Sequence, residues 1–109
     1  MIVEQPINWL SKAQFQPEKL GNPITLMVTG YAEEKGTKGV NRRITGLHIN
    51  GTEYTFDVYG DVIATLLKDL GNDSDKWNGR YIRVMLVQKG DKDIKKVTVM
   101  PSDYTEVRK

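Results

Sequence analysis

The chain has 109 residues, the size of one domain and enough to bury a core without staples. It contains no cysteine, which excludes disulfides, thiolate metal sites and thiol nucleophiles and fits a reducing cytoplasm. A net charge of +2 with 28% charged residues permits a polyanionic partner without requiring one, so the placement of the charges matters more than their sum.

No opening stretch has the charged-then-apolar form of a signal peptide, and the apolar runs are too short to span a bilayer. A cytoplasmic protein without a membrane partner is therefore expected. Residues 1–22 are read as an N-terminal arm or short helix, with an apolar knot at Ile7, Trp9 and Leu10 and a helical turn starting at Ser11 or Gln16. Pro23 suits the first position of a strand, where its missing N–H costs least. Residues 23–101 form the predicted folded body, and residues 102–109 a polar, mobile C-terminal tail.

Ile24 to Tyr31 alternates as a first strand, with Ile24, Leu26 and Val28 on one face and Thr25, Met27, Thr29 and Tyr31 on the other. Glu33 to Gly39 is charged and glycine-punctuated, an exposed hairpin loop. Val40 to Ile49 is the second strand, with a phase slip near Gly46 where a bulge fits. Asn50-Gly51 is a strong hairpin signal, both turn positions needing positive φ. Thr52 to Tyr59 returns as the third strand, facing Tyr54, Phe56 and Val58 to one side. Asp61 can then cap a helix whose stripe is Val62, Ile63, Leu66, Leu67 and Leu70 and which Gly71 ends. Trp77 opens the fourth strand, whose buried side is Ile82, Val84 and Leu86. A turn near Gly90-Asp91 leads into a fifth strand from Ile94 to Met100, closed by Pro101.

Three strands, a helix and two strands predict an all-β domain with one helix. The order is that of the five-stranded oligonucleotide/oligosaccharide-binding (OB) fold, with the helix plugging the barrel bottom. A small α+β sheet and an SH3-like barrel are the alternatives. The run from the Leu66-Leu67 helix through Gly71-Asn-Asp73, Trp77-x-Gly79-Arg80 and Lys96-Val-Thr-Val-Met-Pro101 resembles small OB-fold proteins of archaea, their viruses and bacteriophages. The resemblance covers roughly residues 41–101. It implies a single-stranded DNA-binding or replication-associated protein.

Enzymatic chemistry finds little support. His48 is the one histidine and has no partner nearby in sequence for acid–base work. Asp73-Ser-Asp75 begins like a calcium loop but lacks its glycine and closing acid. Gly36-Thr-Lys-Gly39 has phosphate-loop letters without the spacing or the following helix. No catalysis, metal or cofactor is expected.

Binding rests on two surfaces. Lys35 and Lys38 on the first hairpin run into Arg42 and Arg43, which could track phosphates, although adjacent strand residues face opposite sides. Tyr59, Tyr81 and Arg83, with Tyr31 and Met27 beside them, could stack bases, flanked by Lys92, Lys95 and Lys96 at the second hairpin. The expected activity is single-stranded nucleic-acid binding, DNA rather than RNA, with little sequence preference. The alternative is a protein-interaction or assembly module, or a homo-oligomer, using Met27, Met85 and Tyr59 as a contact patch.

Overall fold

The computed structural model describes residues 7–37 and 39–106. Five antiparallel strands form one sheet: β1 (Ile24–Gly36), β2 (Gly39–Leu47), β3 (Glu53–Val58), β4 (Tyr81–Lys89) and β5 (Lys92–Val99), in spatial order β3-β2-β1-β4-β5. The helix α1 (Asp61–Leu70) lies between β3 and β4 in the chain and packs on β5. Short 3₁₀ turns cover Lys12–Phe15 and Ser74–Lys76. The predicted element order and single helix are present. Among the described residues no helix is long and apolar enough to cross a membrane.

The alternating apolar residues all turn inward. Ile24, Leu26 and Val28, Ile44, Phe56 and Val58, Ile82 and Val84, and Val97 form one buried cluster with Leu66 and Trp77. Residues of both outermost strands, β3 and β5, share this cluster, so the sheet curls around its core. Among the described residues, however, no hydrogen-bonded ladder joins β3 to β5. The arm lies along β3 instead. The Leu10 amide donates to the Thr55 carbonyl (2.9 Å) and the Thr55 amide to the Asn8 carbonyl (2.8 Å), a short parallel bridge that buries Leu10 and Phe15 in the core.

Several local expectations need correction. The first hairpin is no loop from Glu33: its strands stay paired to Gly36↔Gly39, because alternating side chains find cross-strand partners along the way. The register shift falls on β1 at Thr29, opposite Gly46. A Cβ on Gly46 would come within 2.6 Å of the Leu26 Cβ, so glycine there allows the two strands to cross closely while the extra residue sits on β1. That bulge swings Tyr31 to the core side, opposite Ile44. At the second hairpin only Gly51 has positive φ (92°). A three-residue loop forms, with the Asn50 side chain accepting from the Thr52 amide at 2.9 Å.

Gly60, not Asp61, occupies the cap of α1, and Leu67 is exposed because only one flank of the helix is covered. Trp77 precedes the fourth strand, which starts at Tyr81. Its ring is buried, its indole N–H donates to the Gly71 carbonyl (3.0 Å), and Tyr31 meets it edge-on at 4.8 Å. Gly79, at φ 88°, docks the connection onto β1 by donating to the Val28 carbonyl at 2.8 Å. Ahead of β1, Asn22 prolongs the β1–β4 ladder with its side chain, which accepts from the Leu86 amide (3.1 Å) and donates to the Leu86 carbonyl (2.9 Å).

Candidate nucleic-acid interface

The strand parity that builds the core also decides where each basic side chain goes. Arg42 and Arg43 do project to opposite sides of β2, and both meet carboxylates. Arg42 Nε is 3.6 Å from Glu33. Arg43 is held more fully: Nη1 lies 3.2 Å from Glu34, Nε 3.2 Å from Asp57, and the guanidinium stands 5.1 Å from the centre of the Trp9 ring. These exposed pairs contribute little to stability, yet they cancel the positive potential that a phosphate would seek. Lys35 is exposed on the same hairpin without an ion pair among the described residues. Lys38 lies outside the described residues.

The aromatic row separates. Tyr31 belongs to the core margin, where its hydroxyl donates to Glu33 (2.8 Å). Desolvation, reinforced by the hydrogen bond and the negative charge of Glu33, pushes its pKa up to about 12. Tyr81 is only 7% exposed, its ring meeting that of Tyr104 at 5.2 Å, so part of the tail expected to be mobile is docked over it. Tyr81 therefore offers no open face for a base. Arg83 is half-buried on the outer side of β4, with Nε donating to Thr25 Oγ1 at 3.4 Å and no carboxylate beside it among the described residues. Met85 is exposed and Met27 half-buried on that side.

Tyr59 is the most exposed aromatic among the described residues, 73% exposed between β3 and α1, whereas Trp9, 43% exposed, has the Arg43 guanidinium over its ring. It stands over a groove of about 410 Å³ lined by Val62 and Thr65 of α1 and by Ile94, Lys95, Lys96 and Val97 of β5. An adjoining recess of about 270 Å³ runs toward Trp9, Leu10 and Asp93. A smaller one of about 220 Å³, also bordered by Tyr59, reaches Arg42. Of the ten predicted residues, Tyr59, Lys95 and Lys96 are thus brought together, with Arg42 at the margin. Tyr81, Arg83, Lys35 and Lys92 line none of these recesses.

The groove is electrostatically mixed. Lys95 and Lys96 have no ion pair among the described residues, Asp61 shares the lining, and Asp93 is engaged by Lys12 at 2.7 Å. Sequence reading missed Trp9, placed by its bridge to Thr55 and noticed only as part of an apolar knot. It also missed the role of Asp57, which looked like an ordinary polar strand position.

The residues weighed for chemistry have local tasks. His48 Nδ1 accepts from the Asn50 amide (3.1 Å), and Asp73 Oδ1 accepts from the Asp75 amide (3.1 Å), each tying a turn. Among the described residues no group of three or more metal-ligating side chains converges. Compared with known proteins, the chain matches no family model, no curated protein and no solved structure.

Proposed function

We propose that this protein binds single-stranded nucleic acid, DNA by preference, in the groove beside Tyr59. The observation that carries the reading is an exposed tyrosine ring in a groove also lined by two lysines that form no ion pair among the described residues. A base can stack on such a ring without regard to sequence, while ammonium groups alongside hold the backbone. The strand order, with its helix between β3 and β4, supports assignment to the OB type, although the site differs from that expected for the type. The outer face of β2 and β3 carries Arg43 already clamped by Glu34 and Asp57. The open aromatic and the free lysines lie at the opposite margin of the sheet.

Fluorescence anisotropy with a labelled single strand at low salt tests this. Tyr59→Ala should weaken binding by about 1–3 kcal/mol, the contribution of one stacked base. Lys95→Ala and Lys96→Ala should each flatten the salt dependence by roughly 0.7 in log–log slope, one phosphate contact on a single strand. Arg43→Ala should change affinity far less than Lys96→Ala, since its charge is already met. No binding by the unaltered protein at low salt would end the proposal.

A further inference from the structure

We infer that the free edge of β5 is a docking site for an extended, acidic peptide segment of another protein, which adds to the sheet as a sixth strand. This goes beyond the nucleic-acid reading, because it uses the main chain of β5 where that reading uses side chains.

The hydrogen-bond parity identifies the edge. The Met100 amide donates to the Tyr81 carbonyl (2.9 Å), and the β4–β5 register runs in step from Ile82↔Val99 to Lys89↔Lys92. The pairs that exchange bonds are therefore Arg83/Thr98, Met85/Lys96 and Val87/Ile94. Lys95 and Val97 turn their amides and carbonyls away from β4, and no hydrogen bond engages these groups among the described residues. They border the groove under Tyr59, Val62 and Thr65. An unpaired row of main-chain donors and acceptors beside a partly apolar groove is the geometry of strand addition.

The groove follows Ile94 to Val97, room for an extended segment of similar length, about 13 Å. Alternate side chains of such a segment would rest on Val62 and Tyr59. The others would meet Lys96 on the outer side, while Lys95, on the same side as Val97, stands at the rim of the groove, and both ammonium groups select carboxylates. The same lysines argue against a second copy of this chain, whose own β5 brings Lys92, Lys95 and Lys96 against a single aspartate, Asp93.

The test is a titration of the isotope-labelled protein with an alternating Glu/Val peptide, read by NMR and amide exchange. Saturable shifts at Lys95 and Val97, with slowed exchange of their amides, support the site. Lys95→Pro removes an outward donor without breaking a bond to β4, so the sheet should persist while peptide affinity falls at least about tenfold. Lys95→Ala should lose only a few-fold. The same peptide, N-methylated at alternate residues so that it cannot pair, should not bind the unaltered protein, an arm that holds even if the proline variant misfolds. Absence of binding at millimolar peptide, or equal binding by the proline and alanine variants or by the N-methylated peptide, overturns the inference. An oligonucleotide titration run in parallel separates the two readings: nucleic-acid binding that survives while the peptide fails refutes only the strand addition.

Discussion

The two edges of the sheet have different fates. At β3 the outward groups of Thr55 are taken by the arm, whose Asn8 and Leu10 supply one acceptor and one donor, and the Asn8 side chain reaches the Glu53 carbonyl at 3.4 Å. At β5 the outward groups of Lys95 and Val97 meet no equivalent among the described residues. An edge strand is a hazard that chains cover or charge. Here β3 is covered by an arm with buried anchors, whereas β5 is charged by lysines and, among the described residues, left open. The contrast indicates that the first edge is part of the fold's stability and the second is available for contact.

The largest expected effect comes from freeing the covered edge. Phe15 and Leu10 anchor the arm in the core, so Phe15→Ala should cost about 3–5 kcal/mol in urea unfolding, the range for a buried aromatic. In the same variant the Thr55 amide should lose much of its exchange protection and come to resemble Lys95. If stability falls while Thr55 stays protected, the arm holds β3 without help from its anchor, and the contrast needs another explanation.

A second, smaller test asks whether a side chain can stand in for a strand. Asn22 does so at Leu86, where the ladder between β1 and β4 runs out. Asn22→Ala should cost about 1 kcal/mol, the usual net worth of a hydrogen bond, and speed exchange of the Leu86 amide. Both edges should keep their own exchange behaviour.

Tyr31 supplies a perturbation remote from either edge. Its folded pKa is raised, so the native state holds the phenolic proton more tightly than the unfolded chain does. The corresponding stability is complete below the ordinary value of 10.0 and is lost as pH rises toward about 12. Tyr31→Phe should flatten the decline in unfolding free energy over that window. The difference in exchange between Thr55 and Lys95, measured at neutral pH, should not move.

The legibility of these features in sequence follows their range. Alternation at Ile82, Val84 and Leu86 declared the buried side of β4, and Gly71 declared the end of α1, because both are local periodic signals. The bulge at Thr29 was misplaced onto Gly46: a bulge belongs to a pair of strands, and its cause, the close approach of Leu26, lies on the partner. For the candidate site, the exposure of Tyr59 was legible because it follows the last inward residue, Val58. Tyr81 was named on the same kind of pattern, yet Tyr104, from beyond the fifth strand, covers it. The pairing of Arg43 with Asp57 and Glu34 likewise needs the register, which composition does not carry.

The smallest effect concerns an ion pair that spans from the arm to β5. Lys12 reaches Asp93 at 2.7 Å across the seam, with its own side chain largely exposed. Lys12→Ala should therefore change stability by no more than about 1 kcal/mol, and less at high salt. Its consequence for the open edge is more informative. Asp93 lines the recess next to Lys95, and without Lys12 its carboxylate is no longer neutralised. Both an oligonucleotide and an acidic peptide should then bind somewhat more weakly at low salt, with the difference vanishing as salt rises. An unchanged affinity for both would mean that Asp93 lies outside the contact, confining the open edge to Lys95, Lys96 and the groove beneath Tyr59.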